Sequence, residues 1–149
     1  MLRRALPVLL LALIALGLSA CGEDSLSDQQ LRAQATAICA RAARATDRIA
    51  VPTSPEHSAP FLTAGLAQLR PAAARLRALR APHDLRGQYD RALQLAAQEI
   101  ALIARHERAI ANGGDPADAF RQLAAALRPL TTEENAYWRA LEIPSCVRT

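Results

Sequence analysis

No lysine occurs in this chain; all 18 basic residues are arginine. Beside so much alanine, that is the pattern of GC-rich codon usage, so the arginines are not read as a nucleic-acid signature. The formal net charge is only +4, and a balance so near neutral gives no general drive toward polyanions. No nucleic-acid partner is expected. Aromatic residues are almost as scarce, with Phe61, Tyr89, Phe120, Tyr137 and Trp138 the only large rings. The one methionine is the initiator, which excludes a methionine-rich copper site. There is no Gly-x-Ser-x-Gly elbow for an activated serine, and Gly113-Gly114 lacks the Lys and Ser/Thr of a phosphate loop. Cys-x-x-Cys-His, His-x-x-x-His and Glu-x-x-His are also missing, so neither haem attachment nor a di-iron bundle is indicated.

Alanine and leucine are abundant. Hydrophobic residues make up 51% of the chain, but alanine supplies much of that, burying little surface while favouring helix above all other residues. A β-sandwich would require Val, Ile, Thr and aromatics instead. The composition predicts an all-α fold.

The chain opens with a short positive segment, Met1-Leu2-Arg3-Arg4, followed by an apolar stretch from Ala5 to Leu18 broken only by Pro7 and Gly17. That stretch is shorter than the roughly 20 residues a spanning helix needs, and it ends in Leu18-Ser19-Ala20-Cys21. A basic end, a short apolar core and small residues before a cut form the layout of a secretory signal. The tetrapeptide resembles the bacterial lipobox at every position. The resemblance implies cleavage before Cys21, diacylglycerylation of its thiol and, in some bacteria, acylation of the freed amino group. The implied location is the extracytoplasmic face of the cell membrane, with the membrane itself as a partner through lipid on Cys21. Each buried CH₂ is worth about 0.8 kcal/mol, and two or three acyl chains anchor stably where one does not. An uncleaved signal anchor, or an ordinary secretion signal with a chance cysteine, is the competing reading. Residues 1–20 are therefore assigned to the leader, 21–26 to a short tether and 27–149 to the domain. Gly22 to Leu26 span less than about 20 Å fully extended, so the domain is expected close to the membrane.

Four amphipathic segments follow. Ser27-Asp28-Gln29-Gln30 reads as a capping box. Leu31, Ala35, Ile38, Ala42, Ala45 and Ile49 then recur at helical spacing to about Ala50. Pro52 and Pro55 mark a loop. A second helix is expected from Ser58–Pro60 to Ala81-Pro82, with a kink at Pro71 where the Ala67 carbonyl loses its partner. Asp84 is the expected cap of a third helix that stops at Asn112-Gly113-Gly114. Asp115-Pro116 opens a fourth as N-cap and N1. Pro129 either kinks that helix or breaks it, and Thr131-x-x-Glu134 resembles a further capping box. Short turns between four such helices predict an up-down four-helix bundle, kinked or broken at Pro71 and Pro129.

With Cys21 lipidated, Cys39 and Cys146 remain, and an even pair in an exported protein favours a disulfide. Two buried free thiols are the alternative. Cys39 lies some 18 Å along the first helix from its start, so Cys146 must reach it either by a tail turning back at Pro144 or by a break near Pro129. The turning tail is the favoured route. Ile38 to Ala42 (Ile-Cys-Ala-x-Ala), Ala81 to Leu85 (Ala-Pro-x-Asp-Leu) and Leu141 to Cys146 (Leu-Glu-Ile-Pro-Ser-Cys), with the lipobox, resemble small exported helical proteins of actinobacteria. That resemblance implies the helical fold and the disulfide, and no activity.

Candidate chemistry is sparse. His57, His83 and His106 lie far apart and are read as surface residues; no metal site or cofactor is expected. Glu107 and Glu134 fall on or near apolar stripes, where a buried carboxylate would have a shifted pKa; an edge position beside an arginine is the favoured reading. Arg41, Arg44 and Arg48, and Arg70, Arg75, Arg77 and Arg80, are read as solvated faces with local ion pairs, lipid headgroups being the alternative. The leading expectation is a membrane-tethered, non-enzymatic bundle that binds or scaffolds an envelope protein or ligand. A small-ligand or metal-binding sensor is the second reading, and an enzyme with an unrecognised site the third. Alanine stripes are expected to pack tightly and leave little room inside.

Overall fold

The computed structural model describes residues 25–148. The leader, the lipobox Leu18, Ser19, Ala20 and Cys21, and most of the tether lie outside the described residues. Four helices run in chain order: α1 Asp28–Thr46, α2 Ser58–Arg77, α3 His83–Ala111 and α4 Pro116–Ala140. Short 3₁₀ turns at Pro55–His57 and Pro144–Cys146 precede α2 and follow α4. The fold is an all-α bundle, and no helix among the described residues is long and apolar enough to cross a membrane.

Local signals account for most of the helix ends. The Ser27 hydroxyl accepts from the Gln30 amide at 3.3 Å while the Gln30 side chain accepts from the Ser27 amide at 2.9 Å, completing the expected capping box. The Asp115 carboxylate caps α4 by accepting from the Asp118 amide at 2.6 Å, with Pro116 in the first turn. Asp84 does not cap α3. The helix already begins at His83, with Pro82 before it, and Asp84 sits in the first turn. There its negative charge faces the positive end of the helix dipole and pairs with His83 Nδ1 at 3.2 Å. α1 stops at Thr46 rather than near Ala50. The Thr46 hydroxyl turns back to donate to the Ala43 carbonyl at 2.8 Å.

Neither proline breaks its helix. α4 is continuous through Pro129 and α2 through Pro71. Pro71 and Pro129 lie on exposed faces, as do Ala67 and Ala125, whose carbonyls the prolines leave without an amide partner. Water can satisfy those carbonyls, so the local cost does not force a break. Thr131 consequently lies within α4 and starts no second capping box.

α3 is the central helix, packed on both α2 and α4, whereas α1 packs chiefly on α2 and on the C-terminal 3₁₀ turn. The chain reverses after α4 through Leu141 and Glu142. The Glu142 amide donates to the Arg139 carbonyl and the Ile143 amide to the Trp138 carbonyl, at 3.0 and 2.9 Å. These two bonds form a Schellman motif, with Glu142 at φ 59° where glycine is usual. Trp138 and Ile143, the apolar pair of the motif, are both fully buried. The tail then runs back along the bundle and delivers Cys146 to Cys39. The two are disulfide-bonded with Cα atoms 5.0 Å apart, closing a sequence separation of 107. The turn at Pro144 thus solves the reach problem without any break in α4.

Apolar burial is divided in two. One cluster gathers Leu31, Leu76, Tyr89, Trp138, Leu141 and Ile143 at the end where α1 begins, with Tyr89 and Trp138 edge to face at 5.9 Å. The other gathers Leu62, Ile110, Ala119 and Leu123 at the opposite end. Along α3 and α4 the stretch between them carries Glu99, Thr131 and Glu134, and this polar band holds the candidate site.

Candidate functional site

Glu99 from the middle of α3 and Glu134 from α4 are 2% and 3% exposed. Both carboxylates receive the guanidinium of Arg148, which comes in from the tail through Nη2. The remaining valences are met locally. Thr131 Oγ1 donates to Glu99 Oε1 at 2.7 Å, and Trp138 Nε1 donates to Glu134 Oε1 at 2.7 Å. Asn135, one residue along from Glu134, fixes the main chain of Arg148 through its side chain. Two buried acids therefore share one partly exposed base, and among the described residues no buried side-chain polar atom lacks a partner.

Such a cluster has one negative charge in excess when both acids are ionised. Burial penalises that charge most and pushes the Glu134 carboxyl up to about 7. Arg148 and the Trp138 N–H act in the opposite direction, while Glu99, by its charge and by a hydrogen bond to Glu134, acts with burial. Burial thus favours the protonated form of Glu134, a perturbation frequent at binding and catalytic sites.

A cavity of about 350 Å³ adjoins this cluster. Glu134, Trp138 and Arg148 line it together with the Cys39–Cys146 disulfide, apolar residues of α1, α2 and α3, and the polar Thr46, Asp47 and Ser145. Ala43 and Asp47, both exposed at the end of α1, are also part of the lining. The expectation that alanine leaves little room fails at this point. The tail's 3₁₀ turn packs on both α1 and α4, and Ala42, Ala72 and Ala96 are too short to fill the space that remains.

No family model matches the chain, and neither the curated proteins nor the solved structures contain a match. The site is therefore read from its own geometry.

The other candidates from the sequence do not converge. His57 Nδ1 lies 3.0 Å from Ser54 Oγ before α2, and His83 is at the start of α3. His106 is buried, not on the surface, with Nδ1 2.9 Å from the Leu102 carbonyl, so that nitrogen carries the proton. Among the described residues no group of three or more His, Cys, Asp or Glu side chains is placed to hold a metal ion. Glu107 stays at the edge of its stripe and is met by Thr63, whose hydroxyl donates to it at 2.9 Å. Glu134 has the expected arginine yet is buried, so its favoured edge position is corrected. Arg41, Arg44, Arg48, Arg70, Arg75 and Arg77 are all exposed.

Sequence reasoning missed Glu99 and Arg148. A signal for Glu99 was present: Ala92, Leu95, Glu99 and His106 mark a second face of α3 at helical spacing, and all four are buried. A helix packed on two neighbours buries more than one stripe. Arg148 carries no such signal, because only the path of the tail brings it inward.

Proposed function

We propose that this chain is an extracytoplasmic lipoprotein, held by acyl chains on Cys21, whose bundle binds a small, largely apolar ligand. Binding, rather than turnover, is its role. The observation that carries the ligand reading is the cavity beside the buried Glu134–Arg148 cluster. Ligand sites are typically apolar concavities of a few hundred cubic ångströms with a few convergent polar groups, and this one combines mostly apolar walls with a buried carboxyl. The lipobox supports the tether, and the disulfide suits an oxidising compartment. The Leu26 amide donates to the Arg80 carbonyl at 2.9 Å, which fixes residue 26 at the α2–α3 turn. That end would face the membrane.

Two measurements test the reading. Fractionation of cells carrying Cys21→Ala should release the protein from membranes; unchanged retention refutes the tether. Native mass spectrometry of protein from its own host should show a bound mass of a few hundred daltons, reduced by Ala72→Leu, which fills the cavity. Identical spectra for both proteins refute the ligand site.

A further inference from the structure

We infer that the cavity selects organic cations: compact apolar molecules carrying one ammonium group, which sits against Glu134. The inference rests on the ligand reading above and adds the chemical class. Its basis is the charge count of the walls. Glu134 in the wall faces a single guanidinium, Arg148, which it shares with Glu99 outside the lining. Asp47 adds a further carboxylate at the end of α1. The groups that α2 and α3 contribute to the wall are uncharged (Leu69, Ala73 and Ile100 among them). Among the described residues no second cation is therefore present in the lining, and an anionic head would meet the carboxylates of Glu134 and Asp47.

Glu134 has room for such a partner. A carboxylate offers about four lone-pair sites; Trp138 and Arg148 take one on each oxygen and Glu99 a third, which leaves one. An ammonium entering the cavity displaces the proton that burial otherwise keeps on this carboxyl and replaces it with a fixed positive charge. Binding of the cation is then coupled to proton release, while binding of a neutral molecule of the same shape is not.

Adamantylamine, adamantanol and adamantane carboxylate share one cage and differ in the head. Each is titrated into the mature chain carrying Cys21→Ser, after circular dichroism has verified its helical fold. Trp138, the only tryptophan, lines the cavity and reports occupancy by fluorescence. At pH 8 the amine should bind at least tenfold more tightly than the alcohol, and its advantage should shrink as the pH is lowered to 5. Glu134→Gln should remove that advantage. Equal binding of all three heads leaves the ligand site standing and overturns the cation preference. Preference for the carboxylate overturns it in favour of Arg148 as the recognising group. Binding of none of the three, with no bound mass in native spectra, overturns the ligand site as well.

Discussion

Asn135 grips the main chain of Arg148 from both sides: its Nδ2 donates to the Arg148 carbonyl at 2.6 Å, and its Oδ1 accepts from the Arg148 amide at 2.9 Å. A primary amide is the group suited to this, because it offers a donor and an acceptor in one plane. The clamp holds the tail so that the guanidinium reaches Glu99 and Glu134. Asn135→Ala should cost about 1–3 kcal/mol, since it leaves buried partners unmet. Hydrogen exchange should quicken at residues 146–148 ahead of the rest of the bundle. Uniform protection in the variant would refute the clamp.

Glu134 gives stability a definite pH dependence. Its carboxyl has a pKa of about 7 in the folded chain against 4.5 as the reference value. Between those values the folded state binds more protons than the unfolded one, so stability falls as pH rises. The contribution is fully present below about pH 4.5 and is lost as pH rises through about 7. One group in this window gives a slope of at most about 1.4 kcal/mol per pH unit. Urea denaturation at pH 5, 6, 7 and 8 should show the fall in the native chain. Glu134→Gln should flatten it, and a parallel fall in that variant would place the titrating group elsewhere.

The disulfide should carry much of the net stability. In the chain-entropy account, a loop of this length is worth about 4–5 kcal/mol, against roughly 5–15 kcal/mol for a typical domain. Replacing Cys39 and Cys146 with alanine should lower the denaturation midpoint by a corresponding amount. Reducing agent should do the same to the native chain and leave the double variant unchanged.

Two helix ends with the same hydrogen-bond pattern should respond oppositely to substitution. After α3, Gly113 has φ 90°, and a Cβ on Gly114 would lie 2.8 Å from the Ala109 carbonyl oxygen. Gly114→Ala should destabilise by about 1 kcal/mol or more. After α4, the left-handed position is filled by Glu142, which also pairs with Arg32 at 3.2 Å. Glu142→Gly relieves a backbone cost of about 1 kcal/mol and removes an exposed ion pair worth at most about that much. A gain of a few tenths of a kcal/mol to about 1 kcal/mol is expected. Thermal melts of the two variants should move in opposite directions.

What could be read from the residues was mainly local. Ser27, Asp115 and the Asn112-Gly113-Gly114 stop act within one helical turn, and each appears where the sequence puts it. Cys39 and Cys146 could be paired because only two candidates remained. Pro129 was ambiguous because a proline's effect depends on whether the freed carbonyl meets water or protein, which is a tertiary fact. The same holds for the site. Glu134 stood on its stripe, but its burial follows from the tail covering α4. The cavity at Ala42, Ala72 and Ala96 depends on the spacing of α1, which no periodicity encodes.

The bond from residue 39 to residue 146 imposes an order on biogenesis. On the proposed export route α1 emerges first, yet its second anchor lies beyond all the other helices in the chain. Until that late segment has crossed and been oxidised, α1 rests mainly on α2, and the chamber lacks a fixed wall. A host that slows oxidation should accumulate a species in which α2, α3 and α4 resist protease while α1 is cut. Whatever enters the bundle would find its easiest passage during that interval, before the last wall is locked.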